Sequence, residues 1–178
     1  MRVRILNRQS LLSIHAARLR RLVRRLAAAI GQKGPLARMA GLDIVPADDH
    51  GMTEVNRLVF GRNTATDVIS LPYEAVPGEQ GGPSGELFVN VQCAQRHARN
   101  DPRAMEREIA WYLAHGLHHL NGASDRTPAL RARMHARERR WVREAEAEGL
   151  LRDLVAVRSR GVPGNRPTRR RKRLDRGT

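Results

Sequence analysis

The run His115-Gly116-Leu117-His118-His119-Leu120-Asn121-Gly122-Ala123-Ser124-Asp125 decides how the rest of this chain is read. On an α-helix, residues four apart share a face one turn apart, so His115 and His119 can aim their imidazoles at one point. Gly122 offers the left-handed conformation that ends helices, which lets the chain turn back and bring the Asp125 carboxylate to that point. Two imidazoles and a carboxylate make a three-ligand set, the form of a catalytic zinc site that keeps a fourth position open, whereas structural sites are usually closed by four ligands. One zinc ion held by His115, His119 and Asp125 is therefore expected.

An HxxxH pair alone is common, but the turn and the third donor stand at the offsets a ligating triad needs. Three of the seven histidines also fall within this short run. His118 is read as a non-ligand, because 115 and 119 complete the better-recognised spacing. Metalloproteases of the HExxH type place their general-base glutamate directly after the first histidine. Here that position is Gly116, which weakens a peptidase reading where it matters most.

Working outward, Val3 to Leu6 reads as an opening strand, and Ser10 as the N-cap of a helix running to about Ile30. That helix carries an apolar stripe of Leu12, Leu19, Leu22, Val23 and Leu26, with Arg18, Arg20, Arg21, Arg24 and Arg25 on the other face. Gly31 to Pro35 break it. Strands are expected at Leu42–Val45, at Val68–Leu71 (stopped by Pro72) and at Gly85–Val91, with a short helix at Met52–Phe60 ended by Gly61. A Gly/Pro-rich loop spans Pro77–Ser84, and a helix starts near Val91. Two long helices follow, at about 103–121 and 128–147, the second opened by Thr127-Pro128. Asp125 thus lies in a short connection pinned at both ends by helices. The fold class is α+β: a small mixed four-stranded sheet packed with about five helices, the His115–His119 segment serving as a zincin-like metal helix.

At 178 residues the chain suits one domain, expected over 1–150, with a basic tail over 151–178. From about Arg158, Gly161, Pro163, Gly164 and Pro167 exclude regular structure. Arg169-Arg170-Arg171-Lys172-Arg173 is a basic run of the kind that stays disordered until it meets an anion. With two Trp, two Tyr and two Phe, the core must be built from Leu, Val, Ile and Ala. A net charge of +15 points to a polyanionic partner, since clustered cations displace the counterions condensed on phosphates. The only lysines are Lys33 and Lys172, and arginine makes planar bidentate contacts with phosphate. The lone Cys93 excludes an internal disulfide and fits a reducing compartment. No apolar stretch approaches the roughly 20 residues of a membrane span, and Met1 to Gln9 lacks an uninterrupted apolar segment. A cytoplasmic protein with no membrane partner is expected.

Three segments in order carry a family resemblance: Asn56-Arg57 followed by Thr66-Asp67-Val68-Ile69-Ser70-Leu71-Pro72; then Gly85-Glu86-Leu87-Phe88-Val89; and then the histidine run. Over about residues 40 to 145 they resemble the bacterial YbeY family of rRNA maturation endoribonucleases. The resemblance implies a single-strand-specific, metal-dependent endoribonuclease acting in late 16S rRNA maturation at the 3′ end and in ribosome quality control. The partners it implies are rRNA and the small ribosomal subunit, with ribosomal proteins and an assembly GTPase. Departures are clear: the family's third histidine ligand falls on Asp125, a leucine falls on His118, and an arginine falls on Phe60. Arg57 and Arg62 are the candidates to hold the scissile phosphate in its place, and Asn56 is read as bracing a turn. Glu108, two helical turns before His115, is read as a supporting residue. Whether the ribose 2′-hydroxyl or water attacks is open. Two other readings compete: a zinc hydrolase of peptides or amides, and a ribosome-assembly factor whose metal only braces the fold.

Overall fold

Why the chain folds as it does is clearest at Pro102–Leu120, the helix that carries the histidines and packs against most of the other helices and part of the sheet. The structure is a computed structural model that describes residues 1–31, 33–75 and 82–157. In chain order its elements are β1 (Arg2–Ile5), β2 (Leu12–Ile14), α1 (Ala16–Ile30), α2 (Pro35–Arg38), β3 (Gly41–Ala47), α3 (Asp49–Phe60), β4 (Val68–Tyr73), β5 (Ser84–Asn90), α4 (Val91–His97), α5 (Pro102–Leu120), α6 (Pro128–Ala147) and β6 (Val155–Val157). Four strands form one mixed sheet in the order β1-β3-β5-β4, with β1, β3 and β5 parallel and β4 antiparallel on the edge. The α+β reading holds, with six helices among the described residues.

The core lies between this sheet and the helices. Every residue of β3 from Leu42 to Ala47 is buried, as expected of a central strand paired on both sides. On α5, Met105, Ile109, Leu113, Leu117 and Leu120 are buried; on α1, Leu19, Leu22, Val23 and Leu26 are. Each such side chain contributes about 1.5–3 kcal/mol on burial. Gly116 marks the closest approach of α5 to the sheet. A Cβ there would lie 2.1 Å from Leu87 Cδ1, and the Ser70 hydroxyl donates to the Gly116 carbonyl at 3.2 Å. No helix among the described residues is long and apolar enough to cross a membrane.

Several boundaries differ from expectation, each for a physical reason. Ser10 does not cap a helix: Leu12–Ile14 instead form β2, antiparallel to β6, and α1 begins at Ala16. The Gln9 side chain pins that entry, donating to the Leu12 carbonyl and accepting the Leu12 N–H. Pro72 does not end β4. The strand runs on to Tyr73 with Pro72 opposite Gly85, which an edge strand tolerates because one side needs no N–H donor. Val91 opens α4 and does not end β5; Asn90 caps that helix by accepting the Cys93 N–H. Helix α2, with Pro35 in its first turn, was not expected. The packed chain also runs past residue 150, where its end was expected. Leu150, Leu151 and Leu154 are buried and β6 pairs with β2. The rest of the tail, with its basic run, and residues 76–81 lie outside the described residues.

Candidate metal centre

Asp101 starts α5 by accepting the Ala104 N–H at 2.6 Å, with Pro102 in the first turn where its missing donor costs nothing. At the other end Gly122, at φ 88°, donates to the His119 carbonyl at 2.8 Å, and Ala123 donates to that of His118 at 3.0 Å. This left-handed turn reverses the chain. Thr127 then caps α6 by accepting the Leu130 N–H at 3.2 Å. The ligand atoms of His115, His119 and Asp125 consequently lie within 4.8 Å of one another. Arg131 holds the Asp125 loop through its backbone carbonyl at 3.3 Å.

The hydrogen bonds of the two imidazoles fix which nitrogens face each other. His115 donates from Nδ1 to Glu138 Oε1 at 3.1 Å, and His119 donates from Nδ1 to the Ala123 carbonyl at 3.1 Å. In both neutral rings Nε2 is then the acceptor nitrogen, and the two Nε2 atoms are 3.1 Å apart. Two lone pairs so close repel unless a proton or a cation lies between them. Two ligands each about 2.0–2.1 Å from a tetrahedral zinc stand roughly 3.3 Å apart. With Asp125 as third donor, this set fits that ion, and the backside hydrogen bonds are the kind that orient ligating imidazoles.

Glu138 is the hub behind the histidines. Its carboxylate is fully buried on α6; Oε1 accepts from both His115 and His118 Nδ1 at 3.1 Å, and Oε2 accepts from the Trp111 indole at 3.3 Å. Burial alone would raise its pKa, but the hydrogen bonds from His115, His118 and Trp111, together with the charge of His115, outweigh it and lower the value to about 2. His115 responds in kind: burial disfavours its charged form, yet Glu138 raises its pKa above the ordinary imidazole value. His119 has no such partner, and burial together with the neighbouring His115 lowers its pKa. A second group of donors, His115, His135 and Glu138, also lies within 4.8 Å and overlaps the first at His115. His118 is buried with Nδ1 committed to Glu138 and its ring edge-on to Trp141.

A cleft of about 460 Å³ opens over His115 and His119, lined also by Phe60, Arg62, Asp67 and Ser70. The structure therefore brings Arg62 to the histidines; Arg57 is exposed on α3, outside that lining. Asn56 is buried and braces the turn after α3, its Nδ2 donating to the Thr64 carbonyl at 2.6 Å. Glu108 faces α4, 3.9 Å from His97 Nδ1. A larger cleft of about 540 Å³ lies at the start of α5, where Arg107 and Glu146 pair at 2.7 Å. No metal-ligating cluster lies there among the described residues.

Sequence reasoning did not find Glu138, Trp111 or His135. A signal existed for the first: Met134, Glu138, Trp141, Val142 and Ala145 form the buried stripe of α6, so a carboxylate occupies an apolar position on an otherwise arginine-rich helix.

Comparison with known proteins gives a consistent picture. A family model described as Endoribonuclease YbeY matches residues 4–146. Among curated proteins, the Endoribonuclease YbeY of Anaeromyxobacter sp. (strain Fw109-5) is 38% identical over 113 residues, covering 63% of this chain and 56% of that protein. That of Myxococcus xanthus is 34% identical over 68% of this chain and 42% of its own length; that of Anaeromyxobacter dehalogenans is 35% identical over 76% and 66%. The chain thus spans about two fifths to two thirds of these relatives' own length. A Thermotoga maritima protein solved in solution has the same fold, with a TM-score of 0.53 and 20% identity, over 83% of this chain and 91% of that one.

Proposed function

The chain belongs to the YbeY endoribonuclease family, and from that premise we propose that it is a zinc-dependent endoribonuclease cutting single-stranded RNA in rRNA processing. Its substrate in this reading is rRNA, in 16S 3′-end maturation and ribosome quality control in the cytoplasm. The small ribosomal subunit, ribosomal proteins and an assembly GTPase are the partners. One observation carries the reading: two imidazoles, each anchored through Nδ1, turn acceptor nitrogens toward each other at 3.1 Å at the floor of a cleft that also holds an arginine.

His115, His119 and Asp125 would hold the zinc, which when bound supplies Lewis acidity at the scissile phosphodiester. The other contributions come from the chain. Glu138 keeps His115 in the tautomer whose Nε2 faces the cleft, and the Ala123 carbonyl does the same for His119. Arg62 offers a planar, permanently charged donor to a phosphate oxygen. The net charge of +15 favours encounter with a polyanion such as RNA over a neutral or basic substrate.

The peptidase reading loses further ground on packing. A glutamate after the first histidine would need a Cβ 2.1 Å from Leu87 Cδ1, so Leu87 or α5 would have to shift to admit it.

The test is cleavage of end-labelled single-stranded and duplex rRNA fragments by the wild type, with and without chelator, and by His119→Ala. Cleavage of the single strand alone, lost with chelator and in the variant, is expected. RNA binding without cleavage would favour the assembly-factor reading.

A further inference from the structure

The last turn of α3 exposes three consecutive apolar side chains: Leu58 at 73%, Val59 at 46% and Phe60 at 53%. Scattered exposed apolar residues need no explanation, but a contiguous run beside a cleft marks a binding surface. Of the three, Phe60 alone lines the histidine cleft. Its mounting is fixed. Gly61, at φ 68°, donates to the Arg57 carbonyl at 3.0 Å, and Arg62 donates to that of Asn56 at 3.3 Å. The buried Asn56 in turn anchors Thr64 at 2.6 Å. One braced turn therefore presents an aromatic ring and a guanidinium to the same cleft, on either side of a glycine.

A single-stranded nucleic acid offers the matching pair, a base face beside a phosphate. Proteins bind such strands through aromatic rings on which bases stack and cations that follow the backbone. We propose that Phe60 is a stacking platform that seats an unpaired nucleobase in the metal cleft while Arg62 holds the adjoining phosphate. The proposal rests on the endoribonuclease reading and deepens it. Any base can stack, so the platform is tolerant of sequence; a base already stacked inside a duplex cannot reach it, which makes the cleft selective for unpaired strands.

The experiment measures fluorescence anisotropy of the zinc-loaded full chain with labelled oligothymidylate and with an abasic deoxyribose-phosphate strand of equal length. Wild type should bind the base-bearing strand more tightly than the abasic one. Phe60→Ala should bind oligothymidylate roughly 5- to 100-fold more weakly, the equivalent of one lost stacking contact, with abasic binding unchanged. Phe60→Trp should keep the preference and show indole fluorescence quenching on binding. The platform is overturned if Phe60→Ala binds both strands as wild type does or weakens both equally. It is also overturned if Leu58→Ser causes the same loss, which would mark a broad apolar contact for a protein. A wild type that neither binds single strands nor cleaves RNA sinks the endoribonuclease reading itself, a result distinct from failure of the platform alone.

Discussion

Two glutamates are buried in neighbouring helices, and their pKa values move in opposite directions. Glu138 on α6 is surrounded by two imidazoles and an indole, and is held near 2. Glu106, near the start of α5, accepts the backbone N–H of Leu154 at 2.7 Å and that of Val155. Its pKa is raised: burial dominates, the neutral amide donors offset it only in part, and Asp153 adds to the rise. The difference lies in the donors. Imidazoles can carry a positive charge and so favour an ionised carboxylate, whereas amides cannot. One glutamate orients the candidate metal ligands; the other ties β6 to the body of the fold.

Removing each carboxylate should therefore cost different things. Glu138→Ala leaves two imidazole donors and an indole donor without partners in a dry site. We expect a loss of about 3–5 kcal/mol in urea unfolding and zinc binding 10- to 100-fold weaker by titration. Unchanged zinc affinity in a folded variant would separate Glu138 from the metal ligands.

Acid titration sharpens the contrast. With a folded value of about 2 against 4.5 for the free group, Glu138 stabilises the fold above pH 4.5. Its contribution, about 3 kcal/mol, is lost as pH falls through that window. In the metal-free chain, wild type should lose its stability advantage over Glu138→Gln between pH 4.5 and 2. A difference that stays flat there contradicts the ion-pair account.

Gly116→Ala probes whether α5 must sit at contact distance to carry His115 to Glu138. The added methyl meets Leu87 and should cost about 1–3 kcal/mol, read from the shift in the unfolding midpoint. A fully stable variant would mean the helix can lift without cost.

The smallest effect belongs to Glu106. Because its folded pKa is raised above 4.5, its favourable contribution is complete below that pH and declines as pH rises through the folded value. Wild type should therefore lose stability relative to Glu106→Gln on going from pH 4 to pH 7. The opposite slope would show that the amides of β6 hold an ionised carboxylate.

Much of this was legible in the sequence where the signal is local. The i, i+4 histidines, the glycine that turns the chain and the Thr127-Pro128 cap all act over a few residues, and each stands in the structure where spacing placed it. What escaped was carried by partners distant in sequence. β2 exists because Val155–Val157 pair with it, and three residues of apolar alternation cannot announce that. Glu138 and Trp111 converge on His115 only once α6 packs on α5. Arg57 and Arg62 looked equivalent as residues beside a strand, until the turn at Gly61 put one at the cleft and left the other on the helix surface.

The most direct measurement is the zinc content of the purified chain by elemental analysis, for wild type and for His119→Ala, after exposure to equimolar zinc and desalting. One zinc per wild-type chain, lost from a variant whose helical circular dichroism is intact, is the predicted result. A wild type that retains no zinc, or a variant that retains a full equivalent, would contradict the metal centre built on His115, His119 and Asp125.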